Sequence, residues 1–297
     1  MATGVYEAAL RRVEEQIRLL KDKPEESAHT TLDALWFAAA GMPVSAAETK
    51  GKDRPPLQAV QQVELHRLID LRMTGVPLAH ITGRQQFMGL EMLAGPEALI
   101  PRKETELLAE QAVNILQTGR WEGRQPHVID LCTGAGNLAV VLALAHPEAR
   151  IFASDISPDC LLLTRKNLQM HKVSDRVETV LGNLLEPFRR EELYNRIDLI
   201  TCNPPYISSS KVAGMESEIS EHEPVLAFDG GPFGIAIINR LVQEAPKFLR
   251  PGGWLAFEVG LGQGAAIDKR IEKKQIYTKF IPVLDKENNI RVLLAQH

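Results

Sequence analysis

The chain has few cysteines and few aromatic residues, and the small number of cysteines excludes some classes of protein. Its 297 residues include three cysteines, Cys132, Cys160 and Cys202, and aromatic residues make up 5%. An odd and widely spaced set of cysteines gives neither a disulfide framework nor the paired spacing of a zinc site, and it favours a reducing compartment. We therefore predict a cytoplasmic protein that holds no metal.

Long apolar runs and an excess of positive charge are also missing. Uncharged residues 131–147 come nearest to a membrane span, but glycines interrupt them and the run is too short. Residues 1–16 carry charges throughout and lack the apolar core of a signal peptide. The formal net charge of −4 provides no basic field that would attract a nucleic acid or an anionic membrane. We expect neither as a partner.

The N-terminal part of the chain predicts a small helical bundle. Apolar residues recur at helical spacing in residues 5–20, 32–39 and 57–71, and glycine, proline and charged residues separate the three stretches. In the third stretch, Val60 and Val63 are assigned to the apolar face. We predict that this bundle docks a partner or covers a site, and a purely structural cap is the equal alternative.

A linker and a β-hairpin are predicted next. Residues 77–84 are rich in turn-forming residues and predict an irregular connection. Residues 87–92 and 98–100 resemble strands, so that Gly95-Pro96 between them is the predicted turn. A helix is expected to open at Pro101 and to run to about Leu116, because its early acidic residues suit the positive start of a helix.

From residue 127 onward, predicted strands and helices alternate, which is typical of an α/β fold with a mostly parallel sheet and helices on both faces. Strands are predicted at residues 127–131, 150–155, 177–181, 197–202, 253–259, 277–284 and 290–295. Helices are predicted at residues 137–145, 158–171, 234–249 and 263–274. Residues 251–253, Pro-Gly-Gly, are predicted as a tight turn into the fifth strand. Residues 285–289 are short enough for a hairpin, so the last strand should be antiparallel.

The most distinctive stretch, Asn203-Pro204-Pro205-Tyr206, follows a predicted buried strand. The prolines lack N–H donors and fix φ, so the strand must end in a stiff turn. An asparagine oxygen and a proline carbonyl can accept both hydrogens of a planar NH2 group and hold its nitrogen towards an electrophile. Tyr206 can pack on that flat group or face a cationic methyl donor. The alternative is a plain turn that closes a strand.

The ends of three other predicted strands carry groups that suit an adenosine-type ligand. Asp155 ends one strand at about the place where an acid accepts hydrogen bonds from ribose hydroxyls. Asn183 follows the next and can read an adenine edge, with Leu184 packed on the ring. A glycine turn that lets a ligand approach the backbone at a helix start is formed by Cys132, Thr133, Gly134, Ala135 and Gly136.

Each of these signals has a simpler interpretation, because Asp155 and Asn183 also fit a helix cap or a turn. In combination with the Asn203 turn, they predict S-adenosyl-L-methionine as methyl donor, with S-adenosyl-L-homocysteine as product. Such chemistry needs no Ser-His-Asp set. His222, Glu218 and Glu221 share the acidic residues 216–223, which we predict to be a solvated or substrate-covering loop without a metal.

In combination, several motifs resemble those of the HemK/PrmC family of protein N5-glutamine methyltransferases, which methylate the Gly-Gly-Gln glutamine of peptide chain release factors. The stretches that carry the resemblance are residues 77–89 (PLAHITGRQQFMG), 100–106 (IPRKETE), 130–136 (DLCTGAG), 203–207 (NPPYI), 223–224 (EP) followed by 229–231 (DGG), and 258–260 (EVG).

The resemblance implies a seven-stranded Rossmann-like class I methyltransferase domain at residues 104–297. A helical substrate-docking domain at residues 1–80 and a β-hairpin linker at residues 81–103 would precede it. By the same resemblance, Cys132–Gly136 and Asp155 would bind the donor, with Leu184 at the adenine. Asn203 would touch both donor and substrate, and Asn203, Pro204, Pro205 and Tyr206 would grip the glutamine amide.

The sequence departs from the family pattern at three positions and leaves four readings open. At the position of Cys132, the release-factor branch of the family usually has glycine, whereas the branch that acts on ribosomal protein L3 more often has cysteine. Lys103 stands in place of a common proline, and Asn183 in place of a common aspartate. Release factor is the leading substrate. A second reading is methylation of another substrate, either the glutamine of ribosomal protein L3 or a small molecule. A third is adenine N6 methylation of DNA, which would require a basic groove. The fourth is a non-catalytic scaffold.

Overall fold

The computed structural model describes residues 2–20, 22–119, 121, 123–272 and 275–297. They form two compact units, which we describe separately. The first unit contains Met1–Lys103 and Met215–Glu223, and the second contains Glu104–Gly214 and Pro224–His297.

Helices and strands are numbered in chain order. The helices are α1 (Ala2–Gln16), α2 (Ala28–Ala39), α3 (Ala59–Met73), α4 (Leu78–Thr82), α5 (Thr105–Thr118), α6 (Asn137–Ala145), α7 (Pro158–Met170), α8 (Ser209–Val212), α9 (Ser217–Ser220), α10 (Ala236–Glu244) and α11 (Gly264–Glu272). The strands are β1 (Arg84–Phe87), β2 (Leu90–Leu93), β3 (His127–Leu131), β4 (Arg150–Asp155), β5 (Val177–Leu181), β6 (Ile197–Cys202), β7 (Leu249–Glu258), β8 (Lys279–Leu284) and β9 (Ile290–Gln296).

Helices α1, α2 and α3 pack around the apolar core of the first unit, which confirms the predicted helical character of the N-terminal region. Helix α2 lies at the centre and begins with a capping box. The Ser27 hydroxyl accepts from the Thr30 N–H at 3.1 Å, and the Thr30 hydroxyl accepts from the Ser27 N–H at 2.8 Å. This reciprocal pair satisfies two N–H groups that the first turn of a helix otherwise leaves without partners.

The predicted apolar face of α3 is wrong at two positions. Val60 and Val63 are 71% and 70% exposed. The buried stripe of the helix lies at i, i+3, i+4 and i+7 and consists of Leu65, Leu68, Ile69 and Arg72. The predicted apolar face includes Leu68 of this stripe but not Arg72, because a charged residue is not expected on a buried face.

The connection after α3 is more regular than predicted. Helix α4 occupies most of the expected irregular linker and ends at Gly83, which has φ of 67°. The hairpin turn is Met88-Gly89, where φ is 51° and 74°, and Gly95-Pro96 follows the second strand. Two consecutive positive φ angles give a turn that matches the twist of paired strands. The prediction failed because a non-glycine residue with positive φ is uncommon, whereas Gly-Pro is a strong turn signal.

A cluster of four ionised side chains is buried in the first unit. The Lys23 ammonium lies 2.6 Å from Glu218 Oε1, and the Arg72 guanidinium lies 2.9 Å from Glu218 Oε2 and 3.2 Å from Glu26 Oε2. Two cations therefore face two carboxylates. Burial raises the pKa of Glu218, but Lys23 and Arg72 lower it by more than burial raises it. The pKa therefore lies below its ordinary value.

For residues 216–223 the sequence predicts a solvated or a substrate-covering loop, and the solvated alternative is wrong for the two acids that anchor the segment, while the substrate-covering role stays a prediction. Glu218 is 7% exposed and Glu223 is 4% exposed. The Glu223 carboxylate accepts from the Ile100 N–H at 2.8 Å and from the Arg102 guanidinium at 2.5 Å. Within the described ranges, no group of three or more His, Cys, Asp or Glu residues could hold a metal ion.

The second unit contains a seven-stranded sheet in the order β5-β4-β3-β6-β7-β9-β8. Strands β3, β4, β5, β6 and β7 are parallel to one another, while β9 is antiparallel to both β7 and β8. The predicted α/β class, the seven strands and the antiparallel last strand are confirmed. The sheet is Rossmann-like, as the resemblance implied.

Strand β7 begins earlier than predicted, because the Pro-Gly-Gly stretch lies within it. The register against β6 shifts between Ile197 and Leu199, so that β7 absorbs the stretch as an irregularity. The C-terminal residue holds this segment, since the Gly252 N–H donates to the His297 carbonyl at 2.7 Å and the His297 N–H donates to the Gly253 carbonyl at 2.9 Å.

In the second unit, the observed bounds of α6 and α7 agree closely with the predicted ones, and those of the other helices agree less well. Helix α5 starts at Thr105, four residues after the predicted start. Helix α10 gives way to a 3₁₀ turn at Ala245–Lys247, because Pro246 cannot continue the α-helical hydrogen bonding. The predicted end of α11 at residues 273 and 274 lies outside the described residues.

Alternate residues of the central strands pack with two helices in the main apolar core of the second unit. Those from the strands are Ile129, Leu131, Ile200 and Cys202, and those from α10 and α11 are Ile238, Leu241, Ile267 and Ile271. Helix α5 packs against β6, β7 and β9. Among the helices of the described residues, none has both the length and the apolar character needed to cross a membrane.

Removing one charge from the buried cluster should destabilise the first unit. Glu218→Gln leaves Lys23 and Arg72 with one carboxylate fewer, and breaking a buried ion pair in this way costs about 3–5 kcal/mol of unfolding free energy. Urea denaturation, followed by fluorescence in a background in which Trp36 is the only tryptophan, measures the loss. Because folding lowers the pKa of Glu218, its contribution is present at neutral pH and disappears as the pH falls. Wild type and variant should therefore converge in acid.

The control is Glu64→Gln on α3, whose carboxylate pairs with Arg67 on the helix surface. Both side chains of this pair are largely exposed, so its loss should leave the unfolding transition unchanged. Equal transitions for wild type and Glu218→Gln would contradict the stabilising role of the cluster.

Candidate functional site

The structure brings the predicted site residues to one edge of the sheet. Strands β5, β4, β3 and β6 are parallel neighbours, so their carboxyl ends lie side by side. The chain runs outward from β3 through β4 to β5 and then returns to the other side of β3 with β6. The gap between β3 and β6 is therefore the topological switch point at which open α/β sheets bind ligands.

The glycine turn after β3 is shaped by two glycines with different surroundings. A Cβ at Gly136 would lie 2.8 Å from Cγ2 of Thr164, so close packing against α7 requires glycine there. A Cβ at Gly134 would meet nothing within 4 Å. Both have positive φ, at 81° and 56°. Gly136 therefore serves the fold, while Gly134 faces open space that a ligand can occupy.

Helix α7 holds this turn through two buried side chains that sequence reasoning missed. The Thr164 hydroxyl donates to the Gly134 carbonyl, and the Asn167 amide donates to the Ala135 carbonyl, each at 2.8 Å. Both side chains belong to fully buried residues. No local pattern marks them, because their partners lie about 30 residues earlier in the chain.

Asp155 ties the end of β4 to the glycine turn. Its Oδ2 accepts from the Gly134 N–H at 3.0 Å and its Oδ1 accepts from the Ser157 N–H at 2.9 Å. Burial raises the pKa of this carboxyl, and the N–H donors oppose the rise. The Ile156 N–H and the Cys160 thiol are further hydrogen-bond donors to the same carboxylate.

A second carboxylate lies beneath the turn. Asp130 is fully buried on β3, where Oδ2 accepts from the Thr133 hydroxyl at 2.6 Å and Oδ1 accepts from the Thr201 hydroxyl at 2.7 Å. Burial raises its pKa to about 6. Because Thr201 belongs to β6, Asp130 links the two strands on either side of the switch point.

Asn183 and Leu184 follow β5 at the same edge. Asn183 is half-buried, while Leu184 has φ of 52° and is 6% exposed, with its side chain in the main apolar core. The assignment of Asn183 to an adenine edge and the packing of Leu184 on the ring stay predictions.

The turn at residues 203–206 is braced by two glycine-containing loops. The Gln263 amide donates to the Tyr206 carbonyl at 2.8 Å, and its Oε1 accepts from the Gly260 N–H at 3.0 Å. A Cβ at Gly230 would lie 2.7 Å from the Pro205 carbonyl oxygen, so that loop needs glycine to approach the turn. The turn is therefore held both by its two prolines and by the contacts from Gln263 and Gly230.

Asn203 and Tyr206 are also held by a buried carboxylate to which the sequence assigned no role. The Asn203 Nδ2 donates to the Thr105 hydroxyl at 2.9 Å, and that hydroxyl donates to Glu258 Oε2 at 2.7 Å. The Tyr206 hydroxyl donates to Glu258 Oε1 at 3.0 Å, and Arg291 lies 3.5 Å from the same oxygen. Burial raises the pKa of Glu258 and of Tyr206.

These groups fit the predicted ligand. A carboxylate stands at the end of β4, open space adjoins Gly134, and the Asn203 amide follows β6. Leu131 pairs with Cys202, so the next residues, Cys132 and Asn203, leave the sheet side by side. A nucleoside held at the glycine turn would therefore lie next to the Asn203 turn.

The two glycines should respond differently to alanine substitution. Gly134→Ala should fold, with about 1 kcal/mol of strain from its positive φ, and should lose affinity for S-adenosylhomocysteine because the methyl group enters the ligand space. Gly136→Ala should lower the melting temperature, because its methyl group would collide with Thr164. Calorimetric titration and thermal unfolding of both variants separate the two effects. Unchanged affinity in Gly134→Ala would contradict the placement of the ligand.

Comparisons with known proteins agree with this geometry. The family model described as "Methyltransferase small domain" matches residues 105–230. Among solved structures, the hMettl16 catalytic domain in complex with MAT2A 3'UTR hairpin 1 is similar with a TM-score of 0.54 at 18% identity, covering 77% of this chain and 80% of that one. The N-terminal domain of human METTL16 in complex with SAH gives 0.50 at 20%, covering 70% and 75%. At these identities the similarity establishes the fold alone.

Curated relatives are considerably closer in sequence. The release factor glutamine methyltransferase of Thermosynechococcus vestitus is 38% identical over 222 residues, which are 74% of each chain. That of Geobacter sulfurreducens is 33% identical over 251 residues, 84% of this chain and 82% of its own. That of Mycolicibacterium smegmatis is 35% identical over 227 residues, 76% of each. The chain belongs to the release factor glutamine methyltransferase family, as its motifs indicated, and it is a methyltransferase with a Rossmann-like class I fold.

Proposed function

We propose that the protein methylates the side-chain amide nitrogen, N5, of a glutamine, and that this glutamine is the one in the Gly-Gly-Gln motif of peptide chain release factors. S-adenosyl-L-methionine is the methyl donor. The observation that supports the proposal most directly is the pairing of Leu131 with Cys202, since it sets the glycine turn and the Asn203 turn next to each other. The names of the relatives support the choice of substrate.

The chain's own residues have to position the amide rather than activate it chemically. An amide nitrogen is a poor nucleophile, because its lone pair is delocalised into the carbonyl. Acceptors at Asn203 Oδ1 and at the Pro204 carbonyl would hold both amide hydrogens and orient the nitrogen. Pro205 would keep the corner stiff, and Tyr206 would line it. The donor, when bound, supplies an electrophilic methyl carbon.

The donor-binding roles follow the strand ends. Asp155 would accept from the ribose hydroxyls, and Asn183 with Leu184 would contact the adenine. The backbone of the glycine turn would border the rest of the ligand through Cys132, Thr133, Gly134, Ala135 and Gly136. Asn203 would then lie between the donor and the glutamine.

Labelled S-adenosylmethionine and purified release factor test the proposal. We expect one methyl group on the glutamine of the Gly-Gly-Gln motif, located by fragmentation mass spectrometry. Asn203→Ala should reduce the rate at least ~10²-fold, because it removes an acceptor that positions the nucleophile. Its affinity for S-adenosylhomocysteine should decline far less.

The matched control is Asn114→Ala, the same change at an exposed position of α5, which should keep the wild-type rate. A protein that binds S-adenosylhomocysteine but leaves the release factor unlabelled would overturn the substrate assignment. Label on ribosomal protein L3, on a small amide or on DNA under the same conditions would identify the alternative in its place.

A further inference from the structure

A chain of hydrogen bonds connects the reactive corner to a buried carboxylate. Thr105 is 2% exposed and Glu258 is 1% exposed. Asn203 Nδ2 lies 2.9 Å from the Thr105 hydroxyl oxygen, and that oxygen lies 2.7 Å from Glu258 Oε2. The three residues come from the start of α5, the end of β6 and the end of β7.

The direction of the two hydrogen bonds, from Asn203 to Thr105 and from Thr105 to Glu258, is set by the number of protons available. An ionised carboxylate only accepts, and a threonine hydroxyl has a single proton to donate. Once Thr105 donates that proton to Glu258, its oxygen can only accept from Asn203. The Asn203 NH2 group must therefore face Thr105, since the reversed amide would place two acceptors against each other. The Asn203 Oδ1 is then turned away from Thr105.

The orientation matters because the two ends of an asparagine amide are almost identical in shape but opposite in hydrogen bonding. A substrate amide NH2 offers only donors, so it is held by an oxygen and not by a second NH2 group. We infer that Thr105 and Glu258 are positioning residues, which select the asparagine orientation that presents Oδ1 to the substrate. The inference rests on the proposed amide methylation.

Glu258 acts on the other end of the corner as well. Its Oε1 accepts from the Tyr206 hydroxyl at 3.0 Å, so a single carboxylate fixes the first and the last residue of the 203–206 stretch. Burial raises the pKa of Glu258, and Arg291, 3.5 Å from the same oxygen, supplies a positive charge that offsets part of this rise. The direction of the hydrogen bonds requires only that Oε2, the oxygen that faces Thr105, carries no proton.

The decisive substitution is Thr105→Val, which keeps the shape of the side chain and removes the hydroxyl. We expect kcat for glutamine methylation to fall ~10–10²-fold, because Asn203 loses its preferred orientation. The affinity for S-adenosylhomocysteine should change little, while the melting temperature should fall moderately because the buried Glu258 carboxylate loses one hydrogen-bond donor. Thr105→Ser retains the hydroxyl and should recover most of the rate, whereas a purely volume-filling role would make serine the worse of the two.

A matched control lies on the same helix. Thr118 is exposed on α5, and its hydroxyl donates only to the Asn114 carbonyl within that helix. Thr118→Val should leave kcat at the wild-type value. A comparable loss in this variant would attribute the effect of Thr105→Val to a general change in α5 and would overturn the inference.

Coupling to Asn203 provides the second test. If Thr105 acts through Asn203, Thr105→Val should add nothing to the loss already caused by Asn203→Ala, so that the two effects are non-additive. Additive losses would overturn the inference while leaving glutamine methylation intact.

A measurement without substrate separates this inference from the proposed function. The side-chain NH2 signals of Asn203, assigned by their absence in Asn203→Ala, should exchange slowly with solvent in the wild type. They should exchange at least ~10-fold faster in Thr105→Val, because the acceptor that protects them is gone. Equal exchange rates would contradict the inference even if the release factor is methylated, and a protected signal would support it even if another amide is the substrate.

Discussion

The parallel pairing of β3 with β6 is the constraint on which the candidate site depends. Leu131 lies opposite Cys202, and Asp130 on β3 accepts the hydroxyl proton of Thr201 on β6. A shift by one residue would reverse the faces of the shifted strand and offset the glycine turn from the Asn203 turn by about 3.3 Å. The buried carboxylate makes such a shift costly, because its partners exist only in this register.

The features that the sequence predicts well are those encoded locally. Strand and helix alternation, the proline-locked turn and the acid at the end of β4 all depend on neighbouring residues, and the structure has the predicted seven-stranded sheet. The site assignments themselves stay predictions. The sequence shows that Gly134 and Gly136 form a turn. It does not show that packing against Thr164, 28 residues away, requires glycine at position 136.

The features that escaped prediction are those whose meaning depends on a distant partner. Glu218 looks like a solvated acid until the fold supplies Lys23 and Arg72, at sequence separations of 195 and 146. Thr105 and Glu258 lie 153 residues apart, each in a stretch that carries the family resemblance. No neighbouring residue in the sequence indicates that they form a hydrogen bond with each other. A buried charge is costly unless it is paired, and only the tertiary structure shows whether the pair exists.

The backbone N–H groups of the glycine turn are already hydrogen-bonded, which disfavours a diphosphate ligand there. A phosphate-binding turn offers free N–H groups to the anion. In this turn the Gly134 N–H already donates to Asp155 at 3.0 Å, and the Gly136 N–H donates to the Thr133 carbonyl at 2.8 Å. An incoming phosphate would have to displace a carboxylate and would be repelled by it. The positively charged sulfonium of S-adenosylmethionine would meet no such repulsion, so a carboxylate at this position would favour the proposed donor over a phosphate.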